Sequence, residues 1–133
     1  MRKILAFILT ATALTACHES LDQRAAREAK EYTTKNCPMK IADNTVIDSM
    51  TFDVATHTVQ YHYTLSGALD TTYTEEQEKK TKEMLLDGVR NAPALKNYKE
   101  SGYKFRYTFH STKDNGKVVL DYVFSEKDYT ERN

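Results

Sequence analysis

Histidines, cysteines and paired carboxylates would have to supply any chemistry, and few of them stand at a useful spacing. Four histidines occur, His18, His57, His62 and His110. No two sit four apart on a helical pattern and none flanks a glutamate in the zincin pattern, so the two-histidine zinc face of a metallohydrolase is absent and no metal site is expected. His62 and His110 each fall on the polar side of an alternating segment. If those segments are sheet neighbours, the two rings approach each other. Two readings stand open: solvated histidines on an exposed sheet face, or a small ligand-binding or hydrolytic site around the pair.

Nucleophiles give less. Ser20, Ser49, Ser66, Ser101, Ser111 and Ser125 lie in no nucleophile elbow. Cys37 precedes a proline and has no neighbouring base, which favours a structural thiol over a catalytic one. Glu75-Glu76 opens a helical segment and Glu126/Asp128 sits near the end of the chain, where carboxylates compensate a dipole or solvate a tail. With four glycines and no glycine-rich loop, nothing cradles a phosphate. The expectation is a protein that is not an enzyme and carries no cofactor.

The 133 residues leave room for one domain, and the first segment does not belong to it. Arg2 and Lys3 precede an apolar run, Ile4 to Leu14, that is too short for a bilayer core of about 30 Å; this is the layout of a secretory signal peptide. The junction Leu14-Thr15-Ala16-Cys17 resembles the lipobox of bacterial lipoproteins. The resemblance implies cleavage after Ala16, which removes 1–16, and lipid on the Cys17 thiol, so that the membrane itself is a partner. His18, rather than Asp, follows the cysteine, and by the same resemblance this favours the outer membrane of a double-membrane envelope. Without Arg2 and Lys3 the processed chain holds 17 basic against 19 acidic residues, about −2, so nothing is available to neutralise phosphates and nucleic acid is not an expected partner. With Cys17 acylated, Cys37 has no internal partner and is expected to be buried and inert.

Any surface is positioned by a short list of elements. Leu21, Ala25, Ala29 and Tyr32 recur at helical spacing, with Ser20 or Asp22 as cap, and the helix ends near Cys37-Pro38. Residues 17–37 therefore read as a lipidated N-terminus and tether helix, 38–126 as a single α+β domain, and 127–133 as a frayed polar tail. Val46, Met50, Phe52 and Val54 face one way, with Asp48 the exception. Val59, Tyr61, Tyr63 and Leu65 alternate with Thr58, Gln60, His62 and Thr64. Thr74 and Gln77 form a capping-box pattern at the start of a second helix that carries Met84, Leu85 and Val89. Leu95 and Tyr98 belong to a short connector ending at Gly102. Tyr103, Phe105, Tyr107 and Phe109 then alternate with Lys104, Arg106, Thr108 and His110, and Asn115-Gly116 turns the chain into Val118, Leu120, Tyr122 and Phe124.

The order α-β-β-α-β-β predicts a four-stranded antiparallel sheet covered on one face by helix, chiefly the second. The other face offers Gln60, His62, Thr64, Lys104, Arg106, Thr108 and His110 as a possible binding surface. Ala25-Ala26-Arg27-Glu28-Ala29-Lys30-Glu31-Tyr32, Cys37-Pro38, Asp48-Ser49-Met50-Thr51-Phe52-Asp53, Tyr61-His62-Tyr63-Thr64-Leu65-Ser66-Gly67, Leu69-Asp70 and Leu95-Lys96-Asn97-Tyr98-Lys99 resemble a group of short bacterial lipoproteins with no assigned activity. That resemblance implies lipid anchoring and adds no functional residue beyond Cys17. The expected role is a membrane-anchored envelope lipoprotein that binds another envelope protein.

Overall fold

The structure, a computed structural model, describes residues 18–131. The signal segment and Cys17 lie outside the described residues. Among those described, no helix is long and apolar enough to cross a membrane.

Helix α1 (Leu21–Asn36) starts from a full capping box, in which Ser20 accepts from the Gln23 backbone and Gln23 reaches back to the Ser20 N–H. It leads into β1 (Met39–Ala42), β2 (Thr45–Asp53) and β3 (Thr58–Leu65). Helix α2 (Glu75–Asn91) follows, capped by Thr74 and Gln77 as the spacing predicts. A 3-10 turn at Pro93–Leu95 and α3 (Lys96–Glu100) lead to β4 (Lys104–Ser111), β5 (Val118–Phe124) and α4 (Glu126–Thr130).

The strands form one five-stranded mixed sheet in chain order. Two features correct the expected four-stranded antiparallel sheet. Four residues after Cys37 form an extra edge strand, β1, all of it exposed. And β3 pairs with β4 in parallel, Tyr61 beside Tyr107 and Leu65 beside Ser111. Residues 66–103 carry α2 and α3 back across the sheet, so β4 starts from the same end as β3; a crossover of that length is what a parallel pair requires. The remaining pairs are antiparallel. The result is two αββ units side by side. One end of the sheet carries the β2–β3 turn; the other carries the β1–β2 and β4–β5 turns, where Asn115 (φ 43°) and Gly116 (φ 82°) adopt the positive φ that their dipeptide predicts.

Asp48, the exception in the β2 pattern, marks a break in register between Ile47 and Ser49. A bulge inserts one residue and shifts the alternation, so Ile47 points into the core before it, and Met50 and Phe52 pack against the core after it.

Both helices cover the same face. Ala25 and Ala29 of α1 are 2% exposed, and small side chains let the helix backbone approach β2 closely. This corrects the division into a tether helix and a separate domain: α1 is part of the fold. Val59, Val89, Phe105 and Phe124 are the largest fully buried side chains, each contributing about 1.5–3 kcal/mol of burial. Aromatic rings stack across the parallel strands, Tyr61 on Tyr107 at 4.9 Å and Tyr63 on Phe109 at 4.7 Å.

The tail from 127 is not frayed where it is described. The Asp128 carboxylate accepts from the Ser125 N–H at 2.8 Å, starting α4. Tyr129 is buried with its hydroxyl donating to the Tyr103 carbonyl at 3.0 Å, and Arg90 Nη2 donates to the carbonyls of Asp128 and Glu131.

Candidate functional site: a closed polar face and an open apolar cleft

The exposed sheet face brings the expected residues together. Because β3 and β4 are neighbours, the His62 and His110 rings lie 6.1 Å apart between centroids and 15° from parallel. Most of the surface is occupied with itself. Gln60 donates to the Thr108 hydroxyl at 2.9 Å, and Thr108 donates to Asp121 at 2.8 Å. Arg106 grips the same carboxylate with Nε at 3.0 Å and Nη2 at 2.6 Å. Thr64 donates to Asp48 at 2.5 Å, His62 Nε2 bonds the Thr51 hydroxyl at 3.1 Å, and His110 Nδ1 bonds the Gly116 carbonyl at 3.0 Å. Lys104 alone of the seven stands fully exposed.

Burial, followed by the nearby His110 and Arg106 charges, leaves the His62 pKa below the usual imidazole value against the opposing pull of the Asp48 and Asp121 carboxylates. The Arg106 hydrogen bond holds Asp121 below the usual carboxylate range. Neither histidine lines the cleft between α1 and the Pro93–Leu95 turn, nor the hollows beside Asp70, Thr33 and Asp87. No group of three potential metal ligands occurs among the described residues. Cys37 is half-buried and free, its thiol pushed up by burial and by Asp48.

The opposite face holds a cleft that sequence reasoning missed. About 390 Å³ opens between α1 and the Pro93–Leu95 turn, with β1 at its mouth. Ala25 and Tyr32 form one wall, Ala94 and Leu95 the other, and Met50, Tyr61 and Tyr63 the floor; Ile41 of the edge strand stands at the rim, 49% exposed. Among the described residues the two floor tyrosines have no hydrogen-bond partner, yet neither hydroxyl is sealed from water, so the cleft presents apolar carbon with two polar tips. Burial pushes both phenols well above their ordinary pKa, which keeps them neutral donors.

One end of the cleft is braced. Tyr98 donates to Glu28 at 2.7 Å, Arg24 Nε donates to the other oxygen at 2.7 Å, and the Arg24 guanidinium stacks over the Tyr98 ring at 5.9 Å. Burial acts to raise the Glu28 pKa, but the Arg24 and Tyr98 bonds outweigh it and hold the group ionised. The brace locks α1 to α3 and fixes the width of the opening. The cleft is shaped for an apolar side-chain row with polar backbone, and the one carboxylate that lines it, Glu28, is already engaged by Arg24 and Tyr98.

Similar folds occur in three solved structures. PA3611 of Pseudomonas aeruginosa, described as a secreted protein, superposes with a TM-score of 0.67 at 15% identity, covering 83% of this chain and 97% of its own. EpsS, the pilotin of the Vibrio vulnificus type 2 secretion system, gives 0.62 at 11% identity, with 84% and 93% covered. The Vibrio cholerae type II secretion system pilotin AspS gives 0.57 at 14%, with 80% and 90% covered. At these identities the likeness is one of fold. No curated protein sequence matches the chain. A family profile matches residues 20–120, from the cap of α1 to the middle of β5, and so the chain belongs to the domain of unknown function DUF8479.

Proposed function

We propose that the protein is a lipid-anchored accessory protein of the cell envelope, held at the outer membrane through Cys17, which binds a segment of another envelope protein in the apolar cleft. The observation that carries this reading is the cleft itself: a braced, water-open, largely apolar groove whose one carboxylate, Glu28, is taken up by its own brace. Two further observations support it. The fold is one that type 2 secretion pilotins also use, and the Leu14-Thr15-Ala16-Cys17 junction has the pattern that lipoprotein processing needs. A tether at the membrane raises the effective concentration of the domain near a membrane-bound partner, so a modest groove suffices.

Photo-crosslinking in cells tests the proposal, with a crosslinking amino acid at position 95 in the cleft or at position 104 on the polar face. Position 95 is expected to capture one recurring envelope protein that position 104 does not. Recovery of the same products from both positions, or of none from position 95, overturns the cleft as the binding site. A Cys17→Ser variant that sediments with membranes as the parent does overturns the anchor.

A further inference from the structure

We infer that the end of the domain carrying the β2–β3 turn, Val54 to His57, lies directly against the membrane that holds the lipid, so that the domain stands upright on the bilayer instead of floating on a leash. The inference rests on the lipid-anchor reading of Cys17 and on how soon after it the chain becomes fixed. Ser20 is already locked in the capping box of α1. Glu19 is locked as well, its carboxylate taking Arg27 Nε at 2.6 Å and Nη2 at 3.0 Å. Only two residue steps separate Glu19 from Cys17, a reach of at most about 7 Å. The headgroup layer is itself only about 5–7 Å thick on each side. The start of α1 therefore cannot leave the membrane surface.

The first turn of α1 is in turn clamped to the β2–β3 turn. Asp22 binds His57 Nδ1 at 2.9 Å and also accepts the Tyr103 hydroxyl, while the His57 and Tyr103 rings pack at 5.1 Å. The tip of that turn exposes Val54, 60% accessible, and Ala55. Among the described residues this end carries no basic patch: Glu19 binds Arg27, Asp22 hydrogen-bonds His57, the Asp53 carboxylate caps the Ala55 N–H, and the exposed Lys104 stands at the same end as Glu100, Glu126 and Lys127. The membrane contact is thus set by the tether and not by a basic patch. The β4–β5 turn stands at the far end of strands eight residues long, about 26 Å away.

The chain has no tryptophan, so a single one reports its own surroundings. Val54→Trp and Lys117→Trp place it at the two ends. Each full-length lipidated protein is put into phosphatidylethanolamine/phosphatidylglycerol vesicles that contain a lipid with a nitroxide headgroup. Quenching several-fold stronger at position 54 than at 117 is expected, and unchanged by high salt. Equal or reversed quenching in protein that floats with the vesicles overturns the orientation while leaving the anchor intact; protein whose mass shows no lipid and that does not float overturns both. A ten-residue Gly-Ser insertion between His18 and Glu19 is expected to abolish the difference, and a difference that survives it overturns the short tether as its cause.

Discussion

His62 and His110 stack ring over ring across two parallel strands, 6.1 Å between centroids. Burial is the larger cause of the lowered His62 pKa and the His110 charge the next. His110→Ala removes the second cause only, so an NMR titration should show the His62 pKa rising part of the way towards the usual imidazole value. An unchanged His62 titration would show that the stacked pair is not coupled.

The Thr33 hydroxyl on α1 accepts from the Met50 N–H at 2.9 Å and lies 2.9 Å from the Met50 and Ala29 carbonyls. It covers the outer edge of β2 where β1 no longer pairs with it. Thr33→Val keeps the shape but leaves a part-buried backbone N–H without a partner. The expected loss is about 1–3 kcal/mol in urea unfolding. A loss below the error of the measurement would mean that the Thr33 hydroxyl does not help to hold α1 on β2.

Acid should weaken the protein through carboxylates held ionised. The Arg106 hydrogen bond lowers the Asp121 pKa, the Tyr103 hydroxyl lowers that of Asp22, and the Lys113 N–H lowers that of Asp70. A carboxylate with a depressed folded pKa stabilises fully above its unfolded value, about 3.9, and that stabilisation is lost as pH falls through the folded one, where the unfolded chain binds more protons. The urea midpoint should therefore drop steeply below about pH 4, and Arg106→Gln should flatten that drop. Parallel curves for the variant and the parent would rule out the Asp121 contribution.

How much of this could be read in the residues depends on whether the signal is local. Capping residues are local, and Thr74/Gln77 and Asn115-Gly116 mark their helix and turn correctly. So is strand alternation, but Val59, Tyr61, Tyr63 and Leu65 would alternate identically in a parallel or an antiparallel pair; only the long helical connection of residues 66–103 distinguishes them. Strand β1 is short and wholly exposed, and the alternation of Met39, Lys40 and Ile41 is too brief to mark a strand. Helix α1 covers the sheet with Ala25 and Ala29, whose contribution is close approach rather than hydrophobicity, so its burial is invisible to an apolar count. Ser125 and Asp128 stand at the capping-box spacing that α4 uses, a signal present in the sequence. The cleft draws its walls from α1, β1, β2, β3 and the Pro93–Leu95 turn, and no window of sequence contains it.

Ile41 gives the cleft its sharpest test, because it borders the opening from an edge strand and is half exposed. A lysine there is well tolerated by an edge strand, whose outer side natural proteins often protect with that residue. Ile41→Lys should thus change stability by no more than about 0.5 kcal/mol, the usual range for a surface substitution. It nevertheless places an ammonium at the mouth of an apolar groove, where a bound segment would have to strip its water. Crosslinking from position 95 should fall several-fold while the unfolding midpoint stays put. Phe105→Ala, in contrast, removes a fully buried ring and should cost about 3–5 kcal/mol, so loss of capture in that variant would reflect unfolding. If Ile41→Lys leaves capture at the parent level, the partner does not enter between α1 and β1, and the cleft is a feature of packing alone.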